Sequence, residues 1–157
     1  MVQSLKDYLQ DHAKKVQDGK GTITEWYSVI QKLFNEIRTW IRESDPDGLM
    51  QIEETEQDVN EPGIGRYPLP HLNVGLLGRW IQIAPKSRQF RGKGADGRVD
   101  MTNMVINFIL YRKGKGGEEK WFIEGPHGDP MASPWANVPD KGLDKSTFED
   151  AMMKCLR

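Results

Sequence analysis

Histidine and cysteine, the side chains that most often carry catalysis or hold metals, are scarce in this chain. His12, His71 and His127 fall on separate stretches, and no His-x-x-x-His or Cys-x-x-Cys pair exists. The spacing of a zinc site is therefore missing. Cys155 lies beside Met152 and Leu156 at helical spacing, which makes it a small buried hydrophobe rather than a nucleophile. His127-Gly128-Asp129 could set an imidazole beside a carboxylate, but the flanking Pro126 and Pro130 mark a turn. Gly92-Lys93-Gly94-Ala95-Asp96-Gly97 fits the G-x-G-x-x-G string. A dinucleotide site needs a helix after that string, whereas Arg98-Val99-Asp100-Met101 reads as a strand. Glu53, Glu54, Glu56 and Asp58 crowd one stretch without the ligand spacing or essential glycine of a calcium loop. No metal and no cofactor are expected, and the supply of chemistry leans against an enzyme. A site near His71 or His127 is the third-ranked reading.

Positive charge offers more. Lys86, Arg88, Arg91 and Lys93, with Phe90 among them, fill the segment 86–98, and Arg112, Lys113 and Lys115 fill 112–115. If adjacent strands carry both segments, they converge at one end of a sheet. Cations with an interleaved aromatic can hold a single-stranded nucleic acid through phosphate contacts and stacking. The net charge of −1 hides a matching polarity: residues 1–62 carry −6, 63–120 carry +7 and 121–157 carry −2. The competing reading is that acidic segments, Glu53 to Asp58 above all, lie against the basic loops and neutralise them.

The elements that position these groups centre on Val99 to Ile123. Met104 to Tyr111 is rich in β-branched and aromatic residues and free of Gly and Pro, as a strand covered on both faces would be. Residues 112–119 turn, and Lys120-Trp121-Phe122-Ile123 returns as the partner strand of a hairpin. Upstream, two helices are expected. Ser4 to Gln17 carries a stripe of Leu5, Tyr8, Leu9, His12, Ala13 and Val16, and Asp18-Gly19-Lys20-Gly21 stops it. Thr22 and Glu25 form a capping box that starts a second helix with a wide face of Trp26, Ile30, Leu33, Ile37, Trp40 and Ile41. Ser44 to Gly48 ends it. Leu49 to Val59 is assigned to an edge strand whose charges discourage sheet-to-sheet association. Residues 60–70, with three prolines and two glycines, form a connector. Two strands follow at 71–77 and 79–84, turned at Gly78, with Trp80, Gln82 and Ala84 opposite Arg79, Ile81 and Ile83. An irregular segment anchored by Trp135 leads to a last helix from about Lys145 to Leu156, capped by Asp144 or, two residues later, by Ser146 with Glu149.

The 157 residues fit one domain, divided as a helical hairpin (1–48), an antiparallel sheet (49–125) and a crossing segment with its terminal helix (126–157). No apolar run approaches the roughly 18 residues of a spanning helix. The N-terminus lacks the basic and apolar regions of a signal peptide. One cysteine and no leader point to the cytoplasm, away from membranes. The fold class is α+β: two N-terminal helices, five or six antiparallel strands and a C-terminal helix, with helices on one face. The leading functional reading is a non-catalytic binding or adaptor module with a protein partner. The alternative is a nucleic-acid-binding domain using Lys86, Arg88, Phe90, Arg91, Lys93, Arg112 and Lys113.

Overall fold

The computed structural model describes residues 4–61, 65–88, 94–114, 119–127 and 139–157, with the backbone alone at 11–22 and 127. The N-terminal part is one helix, α1, Leu5–Ser44, and not a pair. Gly19 and Gly21 lie inside it, and so does Thr22, which therefore starts no helix. The physical reason is that glycine permits a helix end without compelling one. Each costs about 1 kcal/mol against alanine in a helix interior, and Ala13, Lys14, Lys15 and Lys20 around them are good helix formers. The helical hairpin expected at 1–48 is thus a single rod. Ser4 caps it by accepting from the Asp7 amide at 3.2 Å.

Six strands follow: β1 (Gln51–Glu61), β2 (Gly65–Leu76), β3 (Arg79–Ser87), β4 (Arg98–Thr102), β5 (Asn107–Lys113) and β6 (Lys120–His127). They form one antiparallel meander in chain order, β1 to β6. Then α2, Lys145–Leu156, starts at Asp144, whose side chain and backbone exchange hydrogen bonds with Thr147.

Two expectations shift at the sheet. The connector assigned to 60–70 is the end of β1 and the start of β2, so Pro68 and Pro70 stand within a strand, opposite Asp58 and Glu56. They are tolerated because β3 pairs only with Leu72 to Leu76. The first half of β2 has a neighbour on one side alone, and prolines two apart leave both missing amides on the same edge. The strand expected from Met104 begins only at Asn107. Met104 has φ 75° and belongs to the β4–β5 turn. Local hydrogen bonds outweigh β propensity there: Asn103 Oδ1 accepts from the Val105 and Ile106 amides at 2.9 and 2.8 Å.

Both helices pack into one core. From α1 it takes Trp26, Ile30, Leu33, Phe34, Ile37 and Ile41, and from α2 Phe148, Ala151, Met152 and Cys155. Leu72, Val74, Ile81, Ile83, Phe108 and Leu110 meet them from the sheet. Ile109 and Tyr111 alternate with Phe108 and Leu110, so they face the other way, into a second cluster with Ala95 and Phe122. Phe108 to Tyr111 is buried throughout, as a strand covered on both faces requires. Trp135 and residues 128–138 lie outside the described residues.

Candidate functional site

The meander puts the end of β3, the start of β4 and the end of β5 at one end of the sheet. The two basic segments therefore share that end, where the structure places Lys86, Arg88, Arg112 and Lys113. Phe90, Arg91 and Lys93 lie outside the described residues. Lys86 is exposed. Arg88 directs Nε to both Glu61 carboxylate oxygens at 2.8 Å. Arg98 is held by Asp100 at 2.7 Å. Lys113 reaches Asp140 at 2.6 Å and lies over the Tyr111 and Phe122 rings.

Arg112 is buried, at 5% exposure. Its guanidinium meets Glu119 at 2.9 Å and the Asp96 carbonyl at 3.0 Å, and stands 5.5 Å over the Trp26 ring. The same ring lies on Gly97, where a Cβ would come within 2.7 Å of Trp26 carbons. The last glycine of the G-x-G-x-x-G string thus serves close packing with α1, and a strand, β4, follows it. Trp26, Gly97 and Arg112 form a structural knot that fixes α1 to the basic end of the sheet.

Among the described residues, the partners of Glu54 and Glu56 in the acidic run lie on α1. Glu54 takes Arg38 of α1 at 2.7 Å, and Glu56 accepts from the Tyr27 hydroxyl at 2.5 Å, raising the Tyr27 pKa. The carboxylates on the basic segments are instead Glu61, Asp100, Glu119 and Asp140. Arg88, Arg98, Arg112 and Lys113 are each met by a nearby carboxylate, which weakens the field of these four cations.

The histidines are not brought together. His71 is buried, with Nδ1 3.0 Å from the Leu69 carbonyl oxygen. Burial pushes its pKa down; the Leu69 hydrogen bond opposes this and nearby Lys86 reinforces it. The His127 side chain and Asp129 lie outside the described residues. Cys155 is buried on α2, and burial raises its thiol to about 11, so it is protonated and unreactive near neutrality. A cleft of about 300 Å³ between β6 and α2 gathers Glu124, Lys141, Thr147, Asp150 and Lys154. Lys154 meets Asp150 at 3.0 Å and holds its carboxyl below the usual range. Among the described residues no three His, Cys, Asp or Glu side chains are placed to hold a metal.

What sequence reasoning missed is exposed apolar surface. Among the described residues, large exposed hydrophobics fall in two regions. Leu5, Tyr8 and Leu9 lie on the first turns of α1, at 72, 58 and 54% exposure. Leu49, Leu77, Trp80, Met104, Val105 and Met153 lie toward the other end of the molecule. The α1 stripe is visible in the sequence as a helical pattern, but the exposure of Leu5, Tyr8 and Leu9 is not. At the opposite end, Leu77-Gly78 had the appearance of an ordinary turn. No helix among the described residues is long and apolar enough to cross a membrane. No family model, no characterised protein and no solved structure matches the chain.

Proposed function

We propose that this chain is a non-catalytic cytoplasmic binding module that engages a protein partner through the N-terminal arm of α1. The observation that carries this reading is the mismatch between helix and sheet. A helix of 40 residues is about 60 Å long. The longest strand, β2, has 12 residues and spans about 40 Å. Among the described side chains, Ile23 is the first of α1 packed against the core, and Trp26 already sits over the start of β4. Residues 5–10 of the helix are all exposed.

On that arm Leu5, Tyr8 and Leu9 share one side, at the i, i+3, i+4 spacing by which an amphipathic helix lies in a partner's apolar groove. An isolated helix of this length is marginal in water, so covering its apolar side offers the arm stability as well as affinity. The partner is therefore a protein with an apolar groove. The nucleic-acid alternative retains the shared end of the two basic segments but has to overcome their paired carboxylates.

A photoreactive benzoylphenylalanine at position 8 tests the reading in cell extract. A discrete protein adduct is expected, absent when the probe replaces exposed Glu53. Leu5→Glu with Leu9→Glu should abolish it. No adduct at position 8, or one that survives the double substitution, rejects the arm as the contact. An adduct with a second copy of the chain makes the module self-associating.

A further inference from the structure

We infer that the end of the sheet opposite the basic segments docks on an anionic lipid surface. This concerns a different surface from the α1 arm and stands or falls separately. Two hairpin tips define it. Leu76 pairs with Arg79, leaving Leu77 and Gly78 as a two-residue turn with φ 50° and 81°. Positive φ at both central residues is the geometry that favours Asn-Gly. Leucine stands where asparagine would be at ease, and it is 95% exposed. In the next hairpin Met104, with φ 75°, is 88% exposed, and Val105 is 74% exposed.

A bulky apolar residue in the left-handed region costs backbone strain, and full exposure adds poor hydration. Both tips break the local rule in the same way. The second tip is also firmly built. Thr102 Oγ1 accepts from the Met104 amide at 3.0 Å, Asn103 Oδ1 holds two further amides, and Asn103 Nδ2 donates to the Cys155 carbonyl at 2.8 Å. Rule-breaking held in place by a rigid frame points to use.

The charges choose the occupant. The two hairpins are neighbours in the meander, so their tips are offset sideways by about 10 Å, two strand spacings, and the β2–β3 tip extends further because Thr102 pairs with Gln82. Between them and the end of α2 lies a polar cleft of about 340 Å³ lined by Arg79, Trp80, Asn103 and Arg157. Arg79 also donates to the Leu156 carbonyl, and Lys154 stands on the same last turn of α2, paired with Asp150. Protruding apolar prongs, a half-exposed tryptophan and two arginines between them match acyl chains below and phosphate groups above. A protein groove would have to present two holes at this spacing around an acidic centre; a bilayer presents that order everywhere.

Co-sedimentation of the full chain with phosphatidylcholine vesicles, with and without phosphatidylserine, tests the inference. Wild type should partition onto the anionic vesicles, more weakly as salt rises. The decisive variant is Leu77→Asn with Met104→Asn. Asparagine tolerates positive φ, so this protein should unfold at a higher denaturant concentration while its partition falls at least about tenfold, from the lost apolar insertion. Arg157→Gln should lower partition onto anionic vesicles and leave the neutral ones unchanged. No partition of wild type at low salt overturns the inference. So do equal partition of wild type and the double variant, and equal partition onto neutral and anionic vesicles.

Discussion

His71 shows at the residue scale what burial does to a titratable group. The residue is 5% exposed, and its Nδ1 lies against the Leu69 carbonyl, so the neutral tautomer with Nδ1–H donating fits the site. Burial drives the folded pKa below the unfolded value of about 6.5. The unfolded chain therefore takes up a proton at a pH where the folded chain resists it. Stability from this residue is complete above about pH 6.5 and is lost as the pH falls toward the folded pKa. Urea denaturation at pH 7.5 and pH 5 should show wild type less stable at the lower pH, with a smaller difference in His71→Gln. An unchanged difference would mean that other groups set the slope. Gly97 and Arg112 teach a related lesson. Gly97 closes a G-x-G-x-x-G string that the following strand already argues against, and Arg112 is a candidate phosphate-binding cation; Trp26 packs on both. A glycine under an aromatic ring and a glycine under a phosphate look alike until the partner across space is known.

At the element scale, the wide apolar face from Trp26 to Ile41 and the last helix with its Asp144 cap were legible, because periodicity and capping are local signals. The structure overturns the helix break expected at Gly19 and Gly21, the connector expected at Pro68 and Pro70, and the strand start expected at Met104. In each case a residue's tolerance was taken for a command. Glycine is allowed at helix ends, proline is excluded only from paired edges, and Met104-Val105 is β-prone only until Asn103 offers its amides a better acceptor. The continuous helix makes its own prediction. With helical backbone at both positions, Gly19→Ala and Gly21→Ala should each raise stability by about 0.5–1 kcal/mol and increase helical circular dichroism. Were the chain to turn there through left-handed glycines, both substitutions would instead destabilise it, and α1 would be two helices.

Viewed as a whole molecule, the chain sets its basic segments and its two exposed apolar regions along one axis. The basic segments and the α1 arm lie toward one end, and the apolar hairpin tips lie toward the other. Sequence could show the charge blocks but not which carboxylates face which cations, because Arg88 and Glu61, or Lys113 and Asp140, are 27 residues apart and meet only through the sheet. That pairing makes a prediction about nucleic-acid binding. Wild type should bind single-stranded DNA negligibly even at low salt, since phosphates would have to displace carboxylates already in contact with Arg88 and Lys113. Glu61→Gln with Asp140→Asn removes two of those competitors without removing a cation. It should create weak binding that falls steeply with salt, because each neutralised phosphate then releases its counterions. Fluorescence anisotropy of a labelled oligonucleotide reads both proteins. Tight, salt-sensitive binding by wild type, abolished by Lys86→Glu with Arg88→Glu, would show that the paired cations exchange partners readily, and the basic end would then be the working surface.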